Sequence, residues 1–89
     1  MIVTYTRSFD KSLKKSGDKE SAKQSVEALI LALQHDIQPQ GLGLKKLRDD
    51  IWEIRISLKT RVLFALFPGE IRFLLTGDHD EVKDFLKNA

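Results

Sequence analysis

Residues 51–58, IWEIRISL, alternate apolar and polar side chains at a period of two, and residues 61–67, RVLFALF, resume the alternation after a break at Lys59-Thr60. That period does not suit a helix; it defines two half-buried β-strands joined by a turn. Phase then sorts the side chains. Trp52, Ile54, Ile56 and Leu58 join Val62, Phe64 and Leu66 on one face, while Glu53, Arg55 and Ser57 lie with Arg61, Leu63, Ala65 and Phe67 on the other. The first face is the expected core, with helices packing on Trp52, Ile54, Ile56, Val62, Phe64 and Leu66. The second is expected to stay open and carries two arginines, which a hairpin sets side by side because neighbouring strands run about 4.8 Å apart.

The rest of the chain reads as support for this hairpin. Residues 2–6, IVTYT, form a short strand rich in β-branched and aromatic residues. Ser8 is placed to cap a short helix with Phe9 and Leu13 on one face, and Gly17 ends it. Asp18 is placed to cap a second helix, in which Ala22, Val26, Leu29, Ile30 and Leu33 line up at helical spacing. Residues 35–43 hold Pro39, Gly41 and Gly43 and read as a loop. Residues 44–47 are a short strand candidate, Pro68-Gly69-Glu70 a hairpin turn, and residues 71–76 a nearly all-apolar strand covered on both faces. Asp78 and Glu81 form a capping-box pattern ahead of a last helix containing Val82, Phe85 and Leu86. The order is β-α-α-β-β-β-β-α. It predicts an α+β fold: one curved antiparallel sheet, a helical hairpin packed on one face and a short C-terminal helix.

At 89 residues the chain suits a single domain spanning 1–89, and 42% hydrophobic against 31% charged content suits a packed core rather than disorder. With no cysteine, disulfides and thiolate ligands are excluded. No apolar run approaches the roughly 20 residues of a membrane span. The first residues, MIVTYTRSFD, lack a signal-peptide pattern, so a cytoplasmic location is expected. Net charge is only +2, but it is unevenly spread: residues 7–23 and 44–61 each carry six cations and three acids, whereas 24–43 and 69–89 are each net −2. Two basic segments that converge attract a polyanion, and a solvated basic face has the same composition.

Within the second basic segment, Arg55 and Arg61 are the leading candidates for an anion site. A guanidinium is always charged, and its forked donors match phosphate oxygens. The plainer alternative is a surface ion pair of Arg55 with Glu53 or Asp50. One of the adjacent Lys45 and Lys46 points to the same face, and Arg48 and Lys59 add cations on flanking segments suited to an RNA backbone. His79 follows Gly77-Asp78 at the end of the last strand and is the candidate proton-transfer group, since histidine titrates near neutrality. His35, beside Asp36, is better suited to the C-terminal end of a helix. No metal or cofactor is expected: His79, Asp78 and Asp80 are too close in sequence to converge on one ion. Gly41-Leu42-Gly43 lacks the length and the Lys-Ser/Thr of a phosphate loop. No serine has an evident histidine base.

Phe9-x-x-x-Leu13, the long second helix, Gly43-Leu44-Lys45-Lys46-Leu47, Trp52-Glu53-Ile54-Arg55-Ile56, Arg61-Val62-Leu63-Phe64 and Gly77-Asp78-His79 occur in an order and spacing that resemble the RelE/ParE superfamily of toxins from bacterial type II toxin–antitoxin systems. The resemblance covers almost the whole chain and implies a small RelE-like fold. For RelE-like and YafQ-like members it implies a metal-independent endoribonuclease that cleaves mRNA, in several cases on the ribosome, and so blocks translation. For ParE-like members it implies a gyrase poison on the same scaffold, and a non-catalytic, protein-binding member is a third possibility. A cognate antitoxin is the implied partner. The Gly-x-His segment resembles the one that carries a catalytic histidine in YafQ-like toxins, which makes His79 the implied acid or base. Arg55 and Arg61 are then the implied stabilisers of the transition state, with Lys46 in support. The chain departs from the pattern at Lys46 and Arg55, where YafQ-like toxins have histidines, and at Phe85, near which RelE-like toxins have a tyrosine.

Overall fold

A computed structural model describes residues 1–88 of the protein. The elements are β1 (Ile2–Tyr5), α1 (Arg7–Lys15), α2 (Lys19–Gln34), β2 (Lys45–Arg48), β3 (Ile51–Arg55), β4 (Arg61–Phe67), β5 (Glu70–Gly77) and α3 (His79–Lys87). This is the α+β order that the patterning predicts. The strands form one sheet in the spatial order β1-β5-β4-β3-β2. β2 to β5 make the expected antiparallel meander. β1 departs from it and pairs with β5 in parallel, Ile2 opposite Glu70 and Tyr5 opposite Phe73. The sheet is therefore mixed rather than antiparallel. A tight turn cannot make a parallel neighbour, and here the helices and the rest of the sheet intervene between β1 and β5.

The helical hairpin covers the face that the alternation assigns to the core. Ile54, Val62, Phe64, Ile71 and Phe73 of the sheet pack with Phe9, Ala22, Val26 and Leu29 of α1 and α2. Phe73 is central, with the rings of Tyr5, Phe9 and Phe64 at 5.5, 5.5 and 6.0 Å from its own. Each such fully buried side chain contributes about 1.5–3 kcal/mol of burial free energy. Leu58 is not part of this core. β3 stops at Arg55, and Ile56 N–H and Ser57 N–H both donate to the Thr60 carbonyl, closing a loop that leaves Leu58 92% exposed.

Two caps differ from expectation. Thr6, not Ser8, caps α1: its Oγ1 accepts from Phe9 N–H at 3.2 Å, while Ser8 Oγ donates to the Leu74 carbonyl at 2.7 Å. Asp18 sits at the N-cap of α2 but makes no side-chain cap bond. Its Oδ2 instead accepts from Ser57 Oγ at 2.9 Å and Thr60 Oγ1 at 2.6 Å, tying the α1–α2 turn to the β3–β4 loop.

The second face is only partly open. α3 lies against β4 and β5 with Val82 buried, and Leu63 and Ala65 are buried as well. A register shift after Leu63 sets the phase at this end: Leu63 opposes Leu75, but Phe64 opposes Phe73, so Leu74 is the extra residue. Such a bulge reverses the alternation beyond it. Thr76 therefore lies on the helical-hairpin side opposite Val62, and Gly77 lies opposite Arg61. No helix is long and apolar enough to cross a membrane among the described residues.

Candidate active site

A shallow concavity of about 410 Å³ opens on the α3 side of the sheet, bordered by Lys45, Glu53, Arg55, Arg61 and His79 and backed by Val82 of α3. Each strand delivers its side chain by register. Lys45 opposes Glu53, and Arg55 opposes Arg61, which in turn opposes Gly77. Lys45, Glu53, Arg55 and Arg61 therefore share one face.

The β5–α3 junction brings in His79. The Asp78 carboxylate accepts from Glu81 N–H at 2.8 Å, and Glu81 Oε1 accepts from Asp78 N–H at 3.0 Å, so the capping box is complete. His79 is then the first helical residue and is exposed. Gly77 makes this start possible: a Cβ there would stand 2.9 Å from Glu81 Cβ, inside the shortest contact real side chains tolerate. Gly43 has a similar place at the opposite rim. Its φ is +63°, and a Cβ would lie 3.0 Å from Arg55 Cβ, next to the bond from Arg55 N–H to the Leu42 carbonyl.

The charges are unequal in burial. Arg61 Nε lies 3.3 Å from Glu53 Oε2, with side chains only 13% and 9% exposed. Arg55 is exposed and makes no ion pair among the described residues. The expected alternative, Arg55 paired with Glu53, is thus replaced by an Arg61–Glu53 pair that leaves Arg55 free. Two guanidiniums facing across one ladder repel, and the Glu53 carboxylate offsets the charge on Arg61.

The structure brings together His79, Arg61, Arg55 and Lys45 but not the other three candidates. Lys46 opposes Trp52 and lies on the other face, its Nζ 5.8 Å from the centre of the indole ring. This cation–π placement takes Lys46 away from the concavity and leaves Lys45 as the lysine on the arginine face. Arg48 donates through Nη2 to the Leu86 carbonyl at 2.8 Å, pinning the C-terminal turn of α3. Lys59 sits on the β3–β4 loop and lines a different cleft. The sequence names Glu53 only as a partner for Arg55, and the structure gives it to Arg61 instead. The signal was present in its phase, an acid at i−2 from Arg55 on the same strand face, but nothing in a single strand pairs it with Arg61.

No protein-family model matches the chain, and no curated protein does. Solved structures match it closely in shape. The crystal structure of YafQ from E. coli superposes with a TM-score of 0.69 at 15% identity, covering 90% of this chain and 94% of that one. A chain of the RelB–RelE antitoxin–toxin complex from Methanococcus jannaschii gives 0.69 at 15%, covering 92% and 96%. The YoeB dimer from Staphylococcus aureus gives 0.66 at 16%, covering 89% and 97%. At this identity the likeness is one of fold: the protein has the RelE-like fold over nearly its whole length.

Proposed function

We propose that the protein is the toxin of a type II toxin–antitoxin pair and acts as a metal-independent endoribonuclease on mRNA in the cytoplasm, on or off the ribosome. The observation that carries this reading is the convergence of Arg55, Arg61, Lys45 and His79 on one concavity of a RelE-like fold. The antitoxin partner is supported by the similarity to a chain of an antitoxin–toxin complex.

The chemistry is that of RNA. The 2′-oxygen attacks the adjacent phosphorus, the bond to the 5′-oxygen breaks, and a 2′,3′-cyclic phosphate and a 5′-hydroxyl result. Negative charge accumulates on the non-bridging oxygens, where Arg55, Arg61 and Lys45 act electrostatically. His79 in its cationic form protonates the departing 5′-oxygen, and the 2′-hydroxyl proton passes to solvent. Glu53 is a positioning residue that holds Arg61 against the sheet. A general acid in the place of His79 contributes typically 10²–10⁴-fold. The test is cleavage of a short RNA by the purified protein in chelator. Cyclic-phosphate ends are expected from the wild type, with a 10²–10⁴-fold slower reaction in His79→Gln. Full-rate cleavage by His79→Gln would remove His79 from the mechanism, and no cleavage of any RNA by the wild type would remove the reaction.

A further inference from the structure

A second cleft, of about 420 Å³, opens between α1, the β3–β4 loop and the β5–α3 junction, and the reaction proposed above makes no use of it. Lys11 and Lys15 border it from one side of α1, Lys59 from the loop, and Thr76 from the end of β5. Lys11 and Lys15 are four residues apart and so project from one helix face. None of the three lysines makes an ion pair among the described residues. The carboxylates on the rim are engaged with backbone: Asp78 and Glu81 satisfy one another's amides in the capping box.

Thr76 is the unusual member. It is 3% exposed, and its backbone N–H donates to Ser12 Oγ at 2.9 Å. Its Oγ1 finds no hydrogen-bond partner among the described residues, although buried hydroxyls are nearly always bonded. The bulge at Leu74 puts the Thr76 side chain on the α1 side of the sheet, where the residue lines the cleft. A buried donor without a partner, in a cleft also lined by three lysines free of ion pairs, suits a tetrahedral oxyanion.

The cleft also adjoins the first concavity. Thr60 and Arg61 are consecutive, as are Asp78 and His79, and each pair has one residue at each site. Thr76 and His79 are three residues apart, so their backbones lie no more than on the order of 10 Å from one another. We propose that this cleft is a second phosphate site, holding a non-scissile backbone phosphate of the same RNA strand through Thr76, Lys11, Lys15 and Lys59. The assignment to RNA rests on the function proposed above; the phosphate site itself does not.

Two measurements separate the claims. Inorganic phosphate is titrated into the protein while backbone amides are followed by NMR, using wild type, Thr76→Val and the Lys11→Ala/Lys15→Ala double variant. Shifts at Ser16, Thr60 and Gly77 are expected in the wild type, with binding weakened about tenfold or more in both variants. Thr76→Val removes an unbonded hydroxyl at nearly constant shape, so it is expected to stay folded with an unreduced Tm. The second measurement is the salt dependence of binding to an RNA oligonucleotide carrying a 2′-deoxy block at the cleavage site. One lost phosphate contact lowers the slope of log K against log salt by about 0.7, and the double variant is expected to show that loss. Phosphate that leaves these amides unmoved, or variants that bind it as the wild type does, would overturn the site. Weakened phosphate binding with unchanged RNA affinity and slope would overturn its assignment to RNA. A wild type that cleaves no RNA yet loses phosphate binding on Thr76→Val would count against the reaction and in favour of the cleft.

Discussion

Arg55 and Arg61 stand directly opposite one another on the arginine face, a cross-strand like-charge pair that costs roughly 0.2–1 kcal/mol. Stability and the proposed activity therefore pull against each other at Arg55. Arg55→Met keeps the aliphatic stem and removes the repulsion; it is expected to raise unfolding free energy by about that amount in urea titration while slowing RNA cleavage. Loss of stability in this variant would show that the two guanidiniums do not oppose each other. Glu53 behaves in the opposite way. Its carboxylate and the Arg61 guanidinium are mostly buried together, and removing one partner of such a pair costs about 3–5 kcal/mol because the other charge is stranded. Glu53→Ala is expected to lower stability by about that range and to slow cleavage with it. A Glu53→Ala/Arg61→Met double variant should recover much of the stability and none of the cleavage.

At the scale of elements, the junctions decide where the site residues point. Gly77→Ala places a methyl group against Glu81 Cβ, so α3 must move or its capping box must open. Loss of an N-cap costs about 1 kcal/mol. The expected result is a lower Tm with cleavage impaired beyond that loss, since His79 is the first residue of the displaced helix. The Asp18 link between the helical turn and the β3–β4 loop makes a pH prediction. Hydrogen bonds from Thr60 and then Ser57 hold the Asp18 carboxyl below its ordinary value of 3.8. A carboxylate whose pKa is lowered on folding stabilises the fold above its unfolded pKa and loses that contribution as pH falls through the lowered value. Acid unfolding below about pH 4 is therefore expected to steepen with Asp18 in place and to flatten in Asp18→Asn, whose stability should already be lower at neutral pH. Much at this scale was legible in the chain. The alternation in β3 and β4 sorted Ile54, Val62 and Phe64 from Arg55 and Arg61 without reference to any partner. The Asp78/Glu81 capping box was equally local. What was not legible is what two distant segments decide together: the parallel pairing of β1, the bulge at Leu74, and the loop bonds to Thr60 that free Leu58. The burial of Leu63 under α3 belongs with these, as does the choice of Lys45 over Lys46. Those two lysines differ only in strand phase, and the short β2 has too few residues to declare its phase.

The whole molecule sets a mixed sheet between a helical hairpin and one short helix, with two groups of its cations at the end of the sheet where β4 begins and β5 finishes. Arg55, Arg61 and Lys45 meet His79 on the α3 side, while Lys11, Lys15 and Lys59 line a cleft with Thr76 on the other. A net charge of +2 hides this arrangement, because 15 Lys and Arg are nearly matched by 13 Asp and Glu over the chain as a whole. The central claim is that this cationic end cleaves RNA in the cell. It is tested most directly by inducing the protein in bacteria and mapping transcript 5′-ends, with Arg61→Met and His79→Gln as comparisons. The account predicts new 5′-hydroxyl ends within coding regions and arrested growth for the wild type, and neither for the two variants. Growth arrest with DNA damage and intact transcripts, unchanged in both variants, would contradict it.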